Sequence, residues 1–374
     1  MSLPPILTDT EQVAALAERL QAQTVIAVDL EADSMHNYQE KVCLLQFSIP
    51  SETVLVDPLA GAELDPLKRV LADPAVRKIF HAADYDIRCL ARDFDIEING
   101  LFDTMISSQF LGEEKFGLAD VLRKYFDVEL DKQYQRADWS KRPLSEGMIR
   151  YAAEDTCHLH QLVEILEQKL FEKGRHAWVL EEFRLLEKVR FAVHEGPLFL
   201  RFKGAGTLDP RQLAALENLL QWRDDEARRR DCPLYKVLGN KSLLHLAKLK
   251  PTSMKKLQEV DGLSPRLIDR YGGKLLLQIS NALDLPESEL PNYPRKERRI
   301  KDPQADKRLQ RLKDWRKKVA AELELDPGVL INNALLEELA RKQPRSEQDF
   351  GNIAGLKTWQ KAELGEGILR TLSD

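Results

Sequence analysis

Cysteine is scarce: four residues in 374, at Cys43, Cys89, Cys157 and Cys232, widely separated and with no C-x-x-C pair. Each lies in apolar or helix-like surroundings, which excludes a disulfide framework and a cysteine zinc site and leaves buried reduced thiols, as in a reducing cytoplasm. Long apolar runs are also missing, so no membrane-spanning segment is expected. The first residues, MSLPPILTDTEQVAALAERL, show no basic stretch ahead of an apolar run, which argues against a secretory leader. They read as a short extended lead, with Thr8-x-x-Glu11 as a capping box that opens a helix. Nor is there an excess of positive charge: 56 Lys and Arg face 61 Asp and Glu, a net charge of −5. As a sum this speaks against a nucleic-acid partner, but distribution matters more than the sum.

What is present changes the balance. Residues 295–318, RKERRIKDPQADKRLQRLKDWRKK, hold twelve Lys or Arg against four Asp or Glu, and the rest of the chain is correspondingly acidic. Such a run is either a solvated linker and helix face or a strip that tracks phosphates. Length and a hydrophobic content of 43% suffice for two or three domains with their own cores.

The chemistry-bearing residues are four acids and a tyrosine. In VIAVDLEAD, Val25-Ile26-Ala27-Val28 is a strand-like apolar run, and strand side chains alternate, so Asp29 and Glu31 leave from one face. In RYAAEDTCHL, Tyr151 and Asp155 are spaced i, i+4, which a helix stacks on one side. A third acid follows the apolar IFHA strand, in a loop that holds Asp84 and Asp86. Clustered carboxylates repel one another and are costly to bury unless hard divalent cations such as Mg²⁺ or Mn²⁺ take their oxygens as ligands. Singly, each motif is more often a solvated edge or a surface pair; their order and context carry the reading.

An apolar strand ending in DLE, IFHAADYDI, and YAAED on a late helix preceded by ADWSKRPLS together resemble the DEDD superfamily of 3′-to-5′ exonucleases, in the tyrosine subgroup. Specifically, the chain resembles the ribonuclease D family, over essentially its whole length. KVCLLQFSIPSETVLVDPL looks like the second and third strands as a hairpin around Pro50, Ser51 and Glu52, and Leu101-Phe102-Asp103-Thr104 with GLADVLRKYFDVELDK like the central helices. Where the family often has an aromatic residue directly after Asp-x-Glu, this chain has Ala32-Asp33. The resemblance selects Asp86 as the middle acid, just before the Ile87 that begins the helix, and leaves Asp84 and Asp33 outer-sphere or solvated.

The remaining chain is punctuated by HEGPLFLRFKGAGTLDP and by DLPESELPNYPRKERRIKDPQ, between and beyond which two helical segments repeat at an offset of 93 residues. Trp222-Arg223 matches Trp315-Arg316, Leu246-Ala247 matches Leu339-Ala340, Pro251 matches Pro344, and Gly262-Leu263 matches Gly355-Leu356. The copies look like tandem HRDC domains, small helical modules whose tryptophans are expected to anchor the core. The acidic Leu335-Leu336-Glu337-Glu338 and the uncharged-to-acidic QDFGNIAGL suggest that the copies share RNA contact unequally.

The expected architecture is an α/β ribonuclease H-like mixed sheet with helices on both faces over residues 1–205, its first three strands antiparallel. Two all-α HRDC domains follow at 206–290 and at 291–374 with the basic linker. A helix over 177–195, closing a long helical stretch from 145, is expected to pack on the first of these modules. The resemblance implies an exoribonuclease releasing 5′-nucleoside monophosphates from RNA 3′ ends, with transfer RNA precursors and other stable RNAs as substrates. On the same resemblance Asp29, Glu31, Asp86 and Asp155 are expected to be the metal ligands, and Tyr151 to orient the water. Two ions ~4 Å apart activate water and stabilise the departing 3′ oxygen. A monomer in the cytoplasm, without membrane contact, is expected. Two alternatives stand: a DNA-directed 3′-to-5′ exonuclease, and a non-catalytic nucleic-acid-binding protein that kept the fold.

Overall fold

The computed structural model describes residues 3–192, 195–294 and 302–373. One six-stranded sheet, in the order β1-β4-β3-β2-β5-β6, is built from β1 (Ile6–Leu7), β2 (Val25–Ala32), β3 (Val42–Ile49), β4 (Glu52–Val56), β5 (Arg77–Phe80) and β6 (Leu101–Asp103). Strands β2, β3 and β4 run antiparallel, whereas β1 is parallel to β4, and β5 and β6 continue the far edge in parallel. The expected extended lead is therefore itself a strand, because the carbonyls of Pro5 and Leu7 accept the N–H groups of Leu55 and Asp57 at 2.9 Å each. The antiparallel trio is consequently the second to fourth strands, not the first three.

Alternation divides the two faces of the sheet. Val28 and Leu30 of β2, Leu45 and Phe47 of β3, and Val54 and Val56 of β4 enter the main core, each large side chain contributing roughly 1.5–3 kcal/mol by burial. Leu44 and Leu55 point the other way and pack with Trp139 and Ala152 in a smaller cluster. The face with Asp29 and Glu31 is this second one.

Helices α1 (Thr10–Gln21), α2 (Lys68–Ala72), α3 (Asp84–Phe94), α4 (Thr104–Leu111), α5 (Leu118–Phe126), α6 (Glu146–Cys157), α7 (Leu159–Glu172) and α8 (His176–Leu186) accompany the sheet. The cap of α1 is Asp9, one residue later than expected: its carboxylate accepts the Gln12 N–H at 2.9 Å, while the Gln12 side chain accepts the Thr8 N–H at 3.2 Å. The stretch from 145 is three helices, broken at His158 and at Gly174, whose φ of +68° is a left-handed conformation that glycine adopts without strain. None of the cysteines is in a disulfide; Cys43, Cys89 and Cys232 are buried, but Cys157 is exposed. Among the described residues no helix is long and apolar enough to cross a membrane.

The chain divides into two compact units, one of Met1–Ala32, Val42–Phe191 and Lys301–Asp374, the other of Asp33–Lys41 and Ala192–Ile300. The second unit contains α9 (Pro210–Arg229), α10 (Leu234–Val237), α11 (Asn240–Leu249), α12 (Met254–Leu257) and α13 (Pro265–Asp284). The first unit ends in α14 (Pro303–Glu322), α15 (Pro327–Leu330), α16 (Asn333–Lys342) and α17 (Thr358–Ser373). The 93-residue repeat extends to single bonds. Arg223 donates to the Leu238 carbonyl and the Asn240 side chain at 3.0 and 2.7 Å; Arg316 donates to the Ile331 carbonyl and the Asn333 side chain at 2.6 and 3.0 Å. Gly262 and Gly355 both sit at φ +80°, the left-handed turn before each closing helix. Trp222 is buried edge-on to Tyr271, centroids 5.3 Å apart, and Trp315 is half-buried against its own core, as core anchors are.

Helix α8 ends at Leu186, and within the first unit it packs on β6 and α4 and on α17 of the second module. Glu181 and Glu182 meet the start of α17: Glu181 accepts the N–H groups of Thr358 and Trp359 at 2.7 and 2.9 Å, and Glu182 accepts Lys357 Nζ at 2.6 Å. Of the basic run, residues 295–301 lie outside the described residues. The remainder opens α14, capped by Asp302, where Lys307, Lys317 and Lys318 are exposed while Arg308 is spent on the Ala340 carbonyl at 2.6 Å.

Candidate active site

Asp29 stands opposite Gln46 and Glu31 opposite Leu44 in the β2–β3 ladder, and directly beyond Glu31 the register slips in a bulge before Ala32 pairs with Val42. A bulge twists the strand end and re-aims its side chains, a common device beside a site. Helix α6 lies across this face, fixed by the hydrogen bond between Ser48 Oγ and Thr156 Oγ1 at 2.7 Å and by Ala152 buried beside Leu44. That placement delivers Asp155: Asp29, Glu31 and Asp155 each offer a carboxylate oxygen within 4.8 Å of the others. One turn earlier, the Tyr151 hydroxyl hydrogen-bonds to Asp155. Tyr134 and Trp139 flank the Tyr151 ring, with centroids 6.2 and 6.0 Å away.

Asp86 arrives differently from expected. Helix α3 begins at Asp84 rather than at Ile87, so both acids lie in its first turn, not in a loop. Asp84 faces solvent and takes a bidentate bond from Arg88 at 2.7 and 3.0 Å; Asp86 is buried, with Asp29 acting on it. The loop entering α3 is held by Asp103, whose carboxylate accepts the N–H groups of Ala82 and Ala83 at 3.3 and 2.8 Å and caps α4 through Met105 and Ile106 at 2.8 and 3.0 Å. One buried carboxylate thus ties the end of β6 to the helix that carries Asp86. Asp33 is not solvated: it is fully buried and closes its own loop by accepting the Lys41 N–H at 2.7 Å and the Asn37 side chain at 2.5 Å.

Burial and mutual repulsion push the cluster far from ordinary carboxylate behaviour. Asp29 rises from 3.8 to about 7, chiefly by desolvation. Glu31 rises from 4.5 to about 10, by desolvation and then by the charges of Asp29, Asp155 and Asp86. Asp155 rises to about 8, again by desolvation first and Asp29 second. Asp86 moves up for the same two reasons. An all-oxygen donor set under this much like-charge strain fits hard divalent cations, which would remove the strain by ligation. The Tyr151 hydroxyl is also held well above its usual value, first by desolvation and then by Asp155, Glu31 and Asp29.

A cleft of about 140 Å³ opens beside Tyr151 and Asp155, lined also by Leu118, Leu130, Lys132 and Gln135. A larger one, about 1080 Å³ and lined by Phe110, Phe116, Glu113, Glu324 and Lys357 among others, includes none of the five site residues. Sequence reasoning missed Gln46, Asp103 and the lining of the smaller cleft. Gln46 in the apolar CLLQFS strand was the one available signal, a polar residue at a buried position two residues from Leu44.

Residues 4–171 match the family model for a 3′-5′ exonuclease, and residues 212–279 and 305–372 each match the HRDC domain. A ribonuclease D of Granulibacter bethesdensis is 31% identical over 296 residues, covering 78% of this chain and 75% of its own. One from Pseudomonas paraeruginosa is 28% identical over 369 residues, 98% of this chain and 96% of its own. The crystal structure of Escherichia coli ribonuclease D, described as an exoribonuclease involved in structured RNA processing, superposes with a TM-score of 0.76 at 28% identity, covering 100% of this chain and 99% of that one. Acids from two separate motifs meet on the exonuclease sheet, two HRDC modules follow it, and relatives match from end to end; the chain belongs to the ribonuclease D family and is a 3′-to-5′ exoribonuclease.

Proposed function

We propose that Asp29, Glu31, Asp86 and Asp155 together hold two divalent cations, Mg²⁺ or Mn²⁺, and that Tyr151 orients the attacking water while 5′-nucleoside monophosphates leave the RNA 3′ end. The observation that carries this is the convergence of carboxylate oxygens from β2 and α6 within 4.8 Å, with Asp86 buried against them. Bound there, the ions would supply Lewis-acid activation of water and charge neutralisation at the departing 3′ oxygen. The chain's own residues do the positioning. Tyr151, its hydroxyl kept protonated at neutral pH, serves as a hydrogen-bonding guide and not as a general base. Its ring is clamped by Tyr134 and Trp139, which fixes the direction of that hydroxyl.

The substrate reading follows from the modules. We take residues 1–205 as the exonuclease domain, 206–290 as the first HRDC domain and 291–374 as the second. RNA with a single-stranded 3′ end, above all a transfer RNA precursor, suits an enzyme that pairs a nuclease site with two helical modules and a basic run. Lys307, Lys317 and Lys318 on α14 are the exposed basic residues in the described part of that run. All five site residues come from one chain, so a monomer suffices, and four cysteines outside any disulfide suit the cytoplasm. The test is a turnover assay on a transfer RNA precursor with a 3′ extension, with Mg²⁺, Mn²⁺ or chelator. Monophosphate release stopping at the mature 3′ end and only with a cation is expected. Activity undiminished by chelator would refute the metal assignment, and indifference between the precursor and an unstructured strand would refute the substrate.

A further inference from the structure

Gln46 lies at the middle of β3 with no solvent exposure, yet neither its side-chain Nε2 nor its Oε1 has a hydrogen-bond partner in the protein. Leaving one buried polar atom unsatisfied is costly, and here both ends of one amide are left so. Native interiors tolerate this where a partner is supplied by something else. The position says what that is. Gln46 is the residue directly across from Asp29 in the antiparallel ladder, so the two side chains leave the same face, with Cβ atoms ~4.5–5.5 Å apart. Two residues along the strand, Ser48 is bonded to Thr156 of α6, and on the neighbouring strand Leu55 pairs with Gln46 and closes the apolar side of the cluster. The amide is thus enclosed among β2, β4 and α6, on the face that carries Asp29, Glu31 and Asp155.

We infer that Gln46 is a positioning residue of the metal centre, its amide N–H holding the Asp29 carboxylate in its ligating orientation once a divalent cation is bound. A carboxylate that binds a cation through one lone pair retains others to accept an N–H. A neutral amide can satisfy them without adding charge that would compete with the cation. An apolar residue of equal size would fill the space but leave the carboxylate free to turn, which is how loss of an outer partner typically costs 10–100-fold in metal affinity.

This inference rests on the proposed metal centre, and the experiment separates the two. Mn²⁺ is titrated calorimetrically into the full-length wild type and Gln46→Met, and the melting temperature of each is recorded in chelator and in Mn²⁺. Because Met keeps the volume and removes both orphaned atoms, the metal-free variant should melt at or above the wild-type temperature. Its Mn²⁺ affinity should fall ~10–100-fold, with a smaller rise in melting temperature on adding Mn²⁺. Unchanged affinity overturns the inference while leaving the metal centre intact. A metal-free variant that melts far below the wild type, or fails to fold, also overturns it, since the amide would then be serving the fold. A wild type that takes up no Mn²⁺ removes the centre itself.

Discussion

Trp178 of α8 and Trp359 of α17 stack with ring centroids 4.8 Å apart and planes 16° from parallel, Phe110 of α4 standing edge-on to both. Both tryptophans are nearly buried, and Trp359 Nε1 donates to Glu182 at 2.9 Å. The closing helix of the second helical module is thereby joined to the last helix that accompanies the catalytic sheet. Trp359→Ala should cost about 3–5 kcal/mol, the usual range for emptying a large aromatic site. A chain cut near residue 205 should be less stable still, because it exposes the whole patch. Chemical denaturation of the variant and the truncated chain measures both; a Trp359→Ala loss below ~1 kcal/mol would show the stack to be incidental.

Asp86→Ala should abolish divalent-dependent hydrolysis without unfolding the protein, since it removes a carboxylate that burial and Asp29 oppose. Asp84→Ala should retain near wild-type turnover and lose about 0.5 kcal/mol or less, the worth of a largely exposed pair with Arg88. Turnover and circular dichroism on the same samples decide it. The reverse pattern would make Asp84 the middle acid.

Tyr151→Phe deletes one hydroxyl that no metal needs, so it should lower the rate by about 10²-fold with cation affinity nearly unchanged. Asp155→Asn should weaken both, because Asp155 shares the 4.8 Å cluster with Asp29 and Glu31. Calorimetric Mn²⁺ titration beside single-turnover kinetics distinguishes the two. Equal losses of affinity would mean that Tyr151 belongs to the metal site itself.

The raised acids also set a pH dependence. Asp29, Glu31 and Asp155 hold protons in the folded metal-free chain up to about 7, about 10 and about 8. In the unfolded chain they release them near pH ~4. Between those limits the folded state binds more protons, so metal-free stability should be greatest near the acid end and decline as pH rises from ~4 through ~10. Added Mg²⁺ or Mn²⁺ should recover the loss, most strongly at alkaline pH, and release protons as it binds. Melting curves in chelator across this range provide the check, and metal-free stability that climbs steadily toward alkaline pH would contradict the clustered-acid electrostatics.

Much of the site was legible in the chain because its signals are local. The two-residue period of a strand put Asp29 and Glu31 on one face, and the 3.6-residue turn put Tyr151 beside Asp155; both are short-range geometry that neighbouring residues enforce. The 93-residue repeat was equally readable, since each copy folds by the same local rules down to the Arg223 and Arg316 bonds. Asp86 could be chosen only through family resemblance, because what separates it from Asp84 is which side of one helical turn faces Asp29.

The amino-acid sequence by itself determined that Asp29 and Glu31 share a strand and Tyr151 and Asp155 a helix, and the order of catalytic and helical modules. Tertiary structure alone decided what those pieces meet. That Asp103 braces the entry to α3, that Gln46 is sealed opposite Asp29 without a partner, and that α8 joins α17 depend on residues brought together from distant parts of the chain. No local propensity encodes such pairings: they arise when strand register and the docking of helices bury particular side chains against one another, and only the folded chain fixes which ones.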